Sequence, residues 1–452
     1  MFENMQITEI LDLEKRVPRY TSYPPANHFN DTVTPEKVLA WYNTIPFGSD
    51  ISVYVHIPFC RNLCWFCACR TQGIKRRLTS VYNYIDGLKA EIDTVSSKIK
   101  EKSKVKFLHL GGGTPTILPP ILMAEFLKFL KSRLNFEKDF SFSVEIDPTE
   151  IDEERLDVLI DEGLNRASVG VQDFNPLIQK AIGRSQTYDQ TEYCFGLLRQ
   201  RNVKNINVDL LYGLPHQTVK KFSNTIDQVI RLSPHRIAMF GYAHVPWMAN
   251  RQKLIDSAEL PKTALRYALL ESGRQKLIDS GFVPVGIDHF TKANDSLAKA
   301  FELRSLHRNF QGYTDDALPY LVGFGASSIS KFPQGYGQNI HGTRSYLELV
   351  NTGKLATSRG YELNEKDQLF SYIIECLMCN FAIDLNHTQE KFGLISDILC
   401  SQIKNNPGKF GLRNYGSSSR YEIANEPHIM ARLIASQFDQ FMFPRKGHSL
   451  AV

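Results

Sequence analysis

Half of the chain's eight cysteines fall within ten residues. Cys60, Cys64, Cys67 and Cys69 lie in the stretch YVHIPFCRNLCWFCAC, from Tyr54 to Cys69. Thiols this dense suit ligation better than packing. Three thiolates spaced by three and then two residues can wrap a compact loop around three irons of a cubane. The fourth iron is then left without a protein ligand and open to a small molecule. Zinc and a disulfide pair are the competing readings. Structural zinc sites usually join two short knuckles far apart in sequence, and the chain carries no second Cys/His knuckle. With three ligands assigned, Cys69 reads as a functional thiol beside the metal rather than a fourth ligand.

Other residues able to do chemistry recur at comparable places. Gly111, Gly112 and Gly113 precede Thr114-Pro115; glycines let a backbone approach a ligand closely and present its N–H groups, although a tight turn would also explain them. Glu145 falls on the polar face of an alternating segment, and a buried carboxylate needs a partner. A ribose hydroxyl or an ammonium group would serve, and so would a structural salt bridge to Arg166 or Arg184. Gln172, Arg184 and Asp209 are ambiguous in the same way, and it is their shared location that makes a candidate pocket. Tyr54 and His56 lie on the polar face of the strand that enters the cysteine loop. Phe66, inside that loop, either packs against a cofactor or shields the metal.

The elements that must position these groups alternate. Ile51, Val53 and Val55 alternate with Ser52, Tyr54 and His56, which reads as a strand; Val81, Tyr84, Ile85, Leu88, Ile92 and Val95 follow at helical spacing. Further strands are expected in 105–115, 139–148, 166–174, 205–215 and 236–246. Helices are expected near 120–134, 151–163 and 217–232. Six strands alternating with helices predict parallel βαβ units and, being fewer than eight, an open partial (β/α)6 barrel of the α/β class. In closed barrels of this kind the site lies at the C-terminal ends of the strands, where Glu145, Gln172, Asp209 and His244 fall. Residues 1–50 read as an N-terminal strap containing PRYTSYPPANHF and a short helix over 35–45. Residues 51–250 read as the core. In the extension over 251–360, a helix near 262–280 precedes an extra strand in 282–290, a polar segment over 306–316 and a Gly/Ser-rich turn over 322–330. Residues 361–452 read as a smaller, mostly helical C-terminal domain whose stripe Leu369, Ile373, Ile374, Leu377 and Met378 belongs to its core. The last residues, PRKGHSLAV, read as a frayed tail.

Composition is that of an ordinary globular chain: 452 residues, 22% charged and 42% hydrophobic. A net charge of +5 suits an anionic substrate and falls far short of a nucleic-acid signature. The N-terminus has no apolar core of a signal peptide, and no apolar run approaches the length of a membrane span. Cys194, Cys376, Cys379 and Cys400 sit among apolar neighbours and read as reduced core residues, which points to the cytoplasm. Nothing demands more than a monomer.

The CxxxCxxC spacing closely resembles the radical S-adenosylmethionine (SAM) superfamily. The longer string resembles the oxygen-independent coproporphyrinogen III oxidases, as do RYTSYP (19–24), GGGTPT (111–116), VEIDP (144–148), GVQDFN (170–175), DLLYGLP (209–215), YAHVP (242–246), GIDHF (286–290), HRNFQGYT (307–314) and MCNF (378–381). The resemblance implies a partial (β/α)6 radical SAM barrel in which Cys60, Cys64 and Cys67 hold a [4Fe–4S] cluster and SAM chelates the fourth iron. By motif position Tyr54, Gly112, Glu145 and Ile329 would contact this SAM. A second SAM would meet Phe66, Gly113, Thr114, Gln172, Arg184, Asp209 and Ala243. A 5′-deoxyadenosyl radical would then take hydrogen from the propionate β-carbon of coproporphyrinogen III. Loss of carbon dioxide and one electron leaves a vinyl group, and two such steps give protoporphyrinogen IX. An electron-donor protein such as a flavodoxin or ferredoxin is implied, with an acceptor the sequence does not name. Cys69 is usually missing from related haem chaperones, so its presence favours the oxidase and a catalytic role. The chain departs from the family at Phe370-Ser371, where a basic pair is common, and at 291–297, which is usually more acidic. Two other readings remain: a haem-delivery protein of the same superfamily, and a radical SAM enzyme acting on haem itself.

Overall fold

The computed structural model describes residues 14–74, 78–416 and 418–442; the first residues of the N-terminus and the tail PRKGHSLAV lie outside the described residues. Period-two patterning builds the first strand, β1 (Ser49–Ile57). Ile51, Val53, Val55 and Ile57 are at most 1% exposed and join one large apolar core, while Ser52, Tyr54 and His56 take the other face. The helix after the cysteine loop, α1 (Thr79–Ile99), supplies Val81, Tyr84, Ile85, Leu88, Ile92 and Val95 to that same core.

The unit repeats through β2 (Ser103–Gly112), β3 (Phe136–Ile146), β4 (Arg166–Gln172), β5 (Asn205–Tyr212) and β6 (Arg236–Gly241). Each strand pairs in parallel with the one before it. The helices between them are α2 (Pro120–Arg133), α3 (Glu153–Asp161), α4 (Tyr188–Gln200) and α5 (Val219–Leu232), with a shorter turn of helix at Pro176–Ala181. Side-chain caps start several of them: Asp152 accepts from Arg155 N–H, and Thr187 with Gln190 forms a reciprocal capping box.

The sheet runs further than the six strands read from the sequence. After α6 (Thr263–Asp279), β7 (Val283–Val285) and β8 (His289–Thr291) form an antiparallel pair beyond β6, so the expected extra strand is two strands joined by a turn. At the other side, β9 (Leu321–Phe324) lies parallel to β1 as a seventh parallel strand. β10 (Ile329–Phe332), β11 (Gly335–Asn339) and β12 (Thr357–Glu362) continue antiparallel from it. The stretch read as a Gly/Ser-rich turn is therefore a strand, a tight reversal and its return. The polar segment over 306–316 contains a hairpin, His307–Asn309 with Gly312–Thr314. The order β12-β11-β10-β9-β1-β2-β3-β4-β5-β6-β8-β7 has two free edges, so the sheet is curved but open.

α7 (Glu365–Asn380) buries Leu369, Ile373, Ile374, Leu377 and Met378 in a second apolar core. Its neighbours include α8 (Pro427–Ala435) and a three-stranded sheet at Ala382–Asp384, Leu412–Arg413 and Arg420–Ile423. Tyr20 and Tyr23 of the strap belong to this second core, and the Tyr20 hydroxyl donates to Asp439 at 3.0 Å. Arg19 meanwhile donates to the carbonyl of Gly241, the last residue of β6. The strap thus joins the C-terminal helices to the rim of the sheet. No helix among the described residues is long and apolar enough to cross a membrane.

Candidate functional site

Strand register places the polar groups in one row across the inner face of the sheet. Tyr54 lies beside His109, which lies beside Ser143. One residue pair further, Glu145 is beside Ser168 and Ser168 beside Asn207. Gly170 is beside Asp209, Asp209 beside Ala238, and Ala238 beside His289 of β8. Beneath this row is a polar cavity of about 150 Å³, lined by Ser52, His109, Ser143, Ser168, Asn207 and His289 among others.

Glu145 finds backbone and histidine partners rather than the arginine salt bridge considered from the sequence. Its Oε2 accepts from Gly112 N–H at 2.9 Å, and Oε1 lies 3.4 Å from His109 Nε2. Burial alone would raise the carboxyl. His109 and the Gly112 amide outweigh it and hold the group below its ordinary value, as a carboxylate. Asp209 accepts from Ser168 Oγ at 3.0 Å and from Asn207 Nδ2 at 2.8 Å. Burial, and then the charge of Glu145, push it up to about 6. Tyr54 stacks on His109 with ring centroids 5.8 Å apart, and its hydroxyl lies 3.0 Å from His56 Nδ1. Burial raises Tyr54 and lowers His56, so both stay uncharged.

The glycine run is explained by crowding as much as by a ligand. Gly112 has φ +110°, and a Cβ there would collide with the His56 ring. A Cβ on Gly113 would stand 2.6 Å from the Phe59 carbonyl, because Gly113 and Thr114 donate their N–H groups to Ile57 and Phe59 at 2.8 Å each. The run therefore docks the cysteine loop directly on the end of β2.

Four further contacts pin that loop. Trp65 N–H donates to Ile182 at 2.8 Å, and the Trp65 ring lies where a Cβ of Gly183 would be. Arg184 reaches Cys64 Sγ and Asp147 at 3.5 Å each, and donates to the Gly170 carbonyl at 2.8 Å. Gln252, 1% exposed, donates to the carbonyls of Phe66 at 2.7 Å and Ala243 at 3.0 Å and accepts from Val245 N–H at 2.6 Å. Arg251 donates to the Cys69 carbonyl at 3.1 Å and to Thr71 at 2.7 Å. Phe66 and Trp65 pack against the small apolar cluster of Ile178, Ile182, Leu211 and Tyr242.

Cys60, Cys64 and Cys67 are free thiols of intermediate exposure on this loop; Cys69 is free and exposed. Burial pushes Cys60 up to about 11, opposed by Thr114, and raises Cys64 against the pull of Arg184. A hydrogen bond from the Cys69 thiol lowers Cys67. Among the described residues no three His, Cys, Asp or Glu side chains converge on a point as a single metal ion requires. A cubane instead spreads its ligands over three separate irons. Its charge would be offset by Arg184 near Cys64 and Arg251 near Cys60 and Cys67. The donor set and its cationic surroundings fit an iron–sulfur cluster better than mononuclear zinc.

The sequence-predicted residues thus fall on one side of the sheet: Gly112, Glu145 and Gln172 close β2, β3 and β4, Tyr54 and Asp209 lie in the second half of β1 and β5, and Phe66, Gly113, Thr114, Arg184 and Ala243 lie in the segments that follow β1, β2, β4 and β6. Gln172, with φ +69°, turns the chain at the end of β4. Ile329 is set back by two strands, on β10, beyond Gly323, which is paired with Tyr54. His244 also points elsewhere, bonding Tyr242 and Ser257. His109, Gln252 and Arg251 were missed. His109 was legible, since it shares the inner face of β2 with Gly111; the other two lie in an irregular segment with no spacing signal.

Residues 54–229 match the family model described as the radical SAM superfamily. A protein of Cereibacter sphaeroides named coproporphyrinogen III oxidase, anaerobic 1, is 44% identical over 99% of both chains. The oxygen-independent coproporphyrinogen III oxidase of Paracoccus denitrificans is 42% identical over the whole of both. Among solved structures, that of the Escherichia coli coproporphyrinogen III oxidase HemN, described as a radical SAM enzyme, superposes with a TM-score of 0.88 at 31% identity. It covers 95% of this chain and 100% of that one. With full-length identity, the same fold and the cysteine loop in place, the chain belongs to the oxygen-independent coproporphyrinogen III oxidases of the radical SAM superfamily.

Proposed function

We propose that the chain carries out the anaerobic oxidative decarboxylation of two propionate side chains of coproporphyrinogen III to vinyl groups, giving protoporphyrinogen IX for haem biosynthesis. One observation carries this reading. Cys60, Cys64 and Cys67 stand on a loop bonded to the glycine run at the end of β2, beside the anionic Glu145. When bound there, a [4Fe–4S] cluster and SAM supply a one-electron cleavage that yields a carbon radical able to take hydrogen from a propionate.

The chain's residues do the rest. Cys60, Cys64 and Cys67 hold the cluster. Tyr54, Gly112, Glu145 and Ile329 would hold one SAM: Glu145, already ionised, offers its carboxylate to an ammonium or ribose hydroxyls, and the Gly112 N–H fixes that carboxylate in place. Phe66, Gly113, Thr114, Gln172, Arg184, Asp209 and Ala243 hold a second SAM. The apolar cluster behind Phe66 keeps water from that side. Cys69, exposed next to Cys67, is the candidate catalytic thiol. The electron comes from a flavodoxin- or ferredoxin-like protein, and the work is done by a cytoplasmic monomer. The division into 1–50, 51–250, 251–360 and 361–452 is part of the same reading.

The test is anaerobic incubation of reconstituted protein with SAM, a low-potential reductant, an electron acceptor and coproporphyrinogen III. Vinyl product with release of carbon dioxide is expected. Methionine and 5′-deoxyadenosine without porphyrinogen turnover would assign another substrate, haem included. Haem binding with neither product would leave a carrier.

A further inference from the structure

Beside the polar lumen is a second cleft that the mechanism does not use. The strap, the hairpin at His307–Thr314, β10 and α7 enclose about 50 Å³ of free space, against the ~10–15 Å³ that one water needs. Two cations line it, Arg308 and Lys331, with Thr21, Asn309, Ser371 and Glu375 among the other walls. Arg308 is 9% exposed. Its Nε donates to the Arg19 carbonyl at 3.3 Å, Nη2 reaches Asp288 at 3.4 Å, and Nη1 has no hydrogen-bond partner among the described residues. A buried guanidinium nitrogen without an acceptor is costly. The Lys331 ammonium makes no hydrogen bond or ion pair among the described residues; burial opposes its charge, and Tyr336, then Glu375 and Asp316, favour it from further away. Glu375 is itself taken by His307 at 3.0 Å. The cleft therefore holds unused cationic donor capacity beside a single acid, Glu375, that His307 already engages.

The cleft also adjoins the reaction site. Asn309 and Leu321 line both it and the lumen. Arg308 lies over the Tyr313 ring at 4.4 Å, and Tyr313 packs edge-on against His289, a lumen residue, at 5.3 Å. An extended acid side chain on a ligand seated in the lumen could enter it.

We propose that Arg308 and Lys331 bind a carboxylate of the bound substrate, a propionate remote from the reacting carbon, and so set which edge of the macrocycle faces the radical. A planar guanidinium with a neighbouring ammonium is the donor set for a carboxylate. The inference rests on the tetracarboxylate substrate named above. It also accounts for the neutral Ser371: with two cations already in the cleft, a third at that wall is not required.

Coproporphyrin III, the fluorescent oxidised form with the same four carboxylates, tests this by equilibrium titration into the anaerobic holoprotein, with its tetramethyl ester and SAM titrated separately. Lys331→Gln and Arg308→Gln should each weaken binding of the acid about tenfold, the loss of one charged hydrogen bond. Ester and SAM affinities and cluster absorbance should not change. Wild-type affinity for the acid in a folded Lys331→Gln protein overturns the proposal, and that variant decides the matter if Arg308→Gln does not fold. Weakened SAM binding with porphyrin binding intact would assign the carboxylate to SAM and overturn it too. Failure of the wild-type protein itself to bind coproporphyrin would instead refute the substrate reading and take this inference with it.

Discussion

Cys64 and Cys69 stand five residues apart on one loop, yet their surroundings suit different work. Cys64 is faced by Arg184 at 3.5 Å, which would offset a ligand thiolate; Cys69 is exposed and hydrogen-bonded to Cys67. Cys64→Ser is expected to give protein without an intact cubane, seen as lost iron and lost visible absorbance. Cys69→Ser should keep both and lose at least about tenfold in product formation; loss of iron there would make Cys69 a ligand. Asp209 supports a pH prediction. Its carboxyl sits at about 6, raised by burial and then by Glu145. A raised carboxyl contributes stability that is present below its unfolded value, near 4, and is lost as pH rises through about 6, because the charge is then buried beside the like charge of Glu145. A cation bound beside it should reverse this cost. On the proposal that Asp209 holds SAM, binding is expected to be about tenfold tighter at pH 7 than at pH 5, and Asp209→Asn should flatten that difference in an anaerobic binding titration. The cysteines were legible from their spacing, and Asp209 because it lies on the polar side of an alternating strand. Gln252 was not, because a single glutamine in an irregular segment carries no pattern until the fold brings Phe66 and Ala243 to it.

At the scale of elements, six parallel strands were readable from period-two runs such as Phe142-Val144-Ile146, each followed by a helical stripe. The seventh, β9, was not: its four residues lead into glycine and serines, and the approach of β10 is possible only because a Cβ at Gly323 is missing, where it would stand 2.6 Å from the Ile329 carbonyl. Such tertiary demands leave composition looking like a turn. The cysteine loop is held in the same non-local manner, so its stability should depend on residues far away in sequence. Gln252→Ala strips partners from the Phe66 and Ala243 carbonyls and the Val245 N–H, and buried groups left unmade cost about 1–3 kcal/mol each. The variant is expected to melt several degrees lower and to lose iron on anaerobic gel filtration, although residue 252 is not a ligand. Full iron content and an unchanged melting temperature would show that the glycine run, Trp65, Arg184 and Arg251 hold the loop without Gln252.

Across the whole molecule, an open sheet needs something to fix the strands added beside β1, since they determine where Ile329 stands. α1 does this with two buried polar side chains. The Tyr84 hydroxyl donates to the His56 carbonyl at 2.9 Å and accepts from Ala326 N–H at 2.9 Å, which ties the end of β1 to the reversal after β9. About two turns further along, Glu91, 3% exposed, gathers three donors. Its Oε2 accepts from Gly325 N–H at 2.7 Å and the Tyr346 hydroxyl at 2.6 Å, and its Oε1 from Asn339 Nδ2 at 2.6 Å. Burial pushes the carboxyl up to about 7 in spite of these bonds, so the group is held at a cost that only its partners offset. Glu91→Leu leaves the Gly325 N–H and the Tyr346 hydroxyl buried and unmet, while Asn339 Nδ2 keeps the Gly325 carbonyl and Ser328 Oγ, and is expected to lower stability by roughly 3 kcal/mol. Glu91→Gln keeps the oxygen shared by Gly325 and Tyr346 and sets its amide against Asn339 alone, so its loss should be smaller, about 1–2 kcal/mol. Urea denaturation of the two variants measures the difference. If both cost the same, the anchor acts by filling space, and the strands beside β1 are held by packing of α1 rather than by its carboxylate.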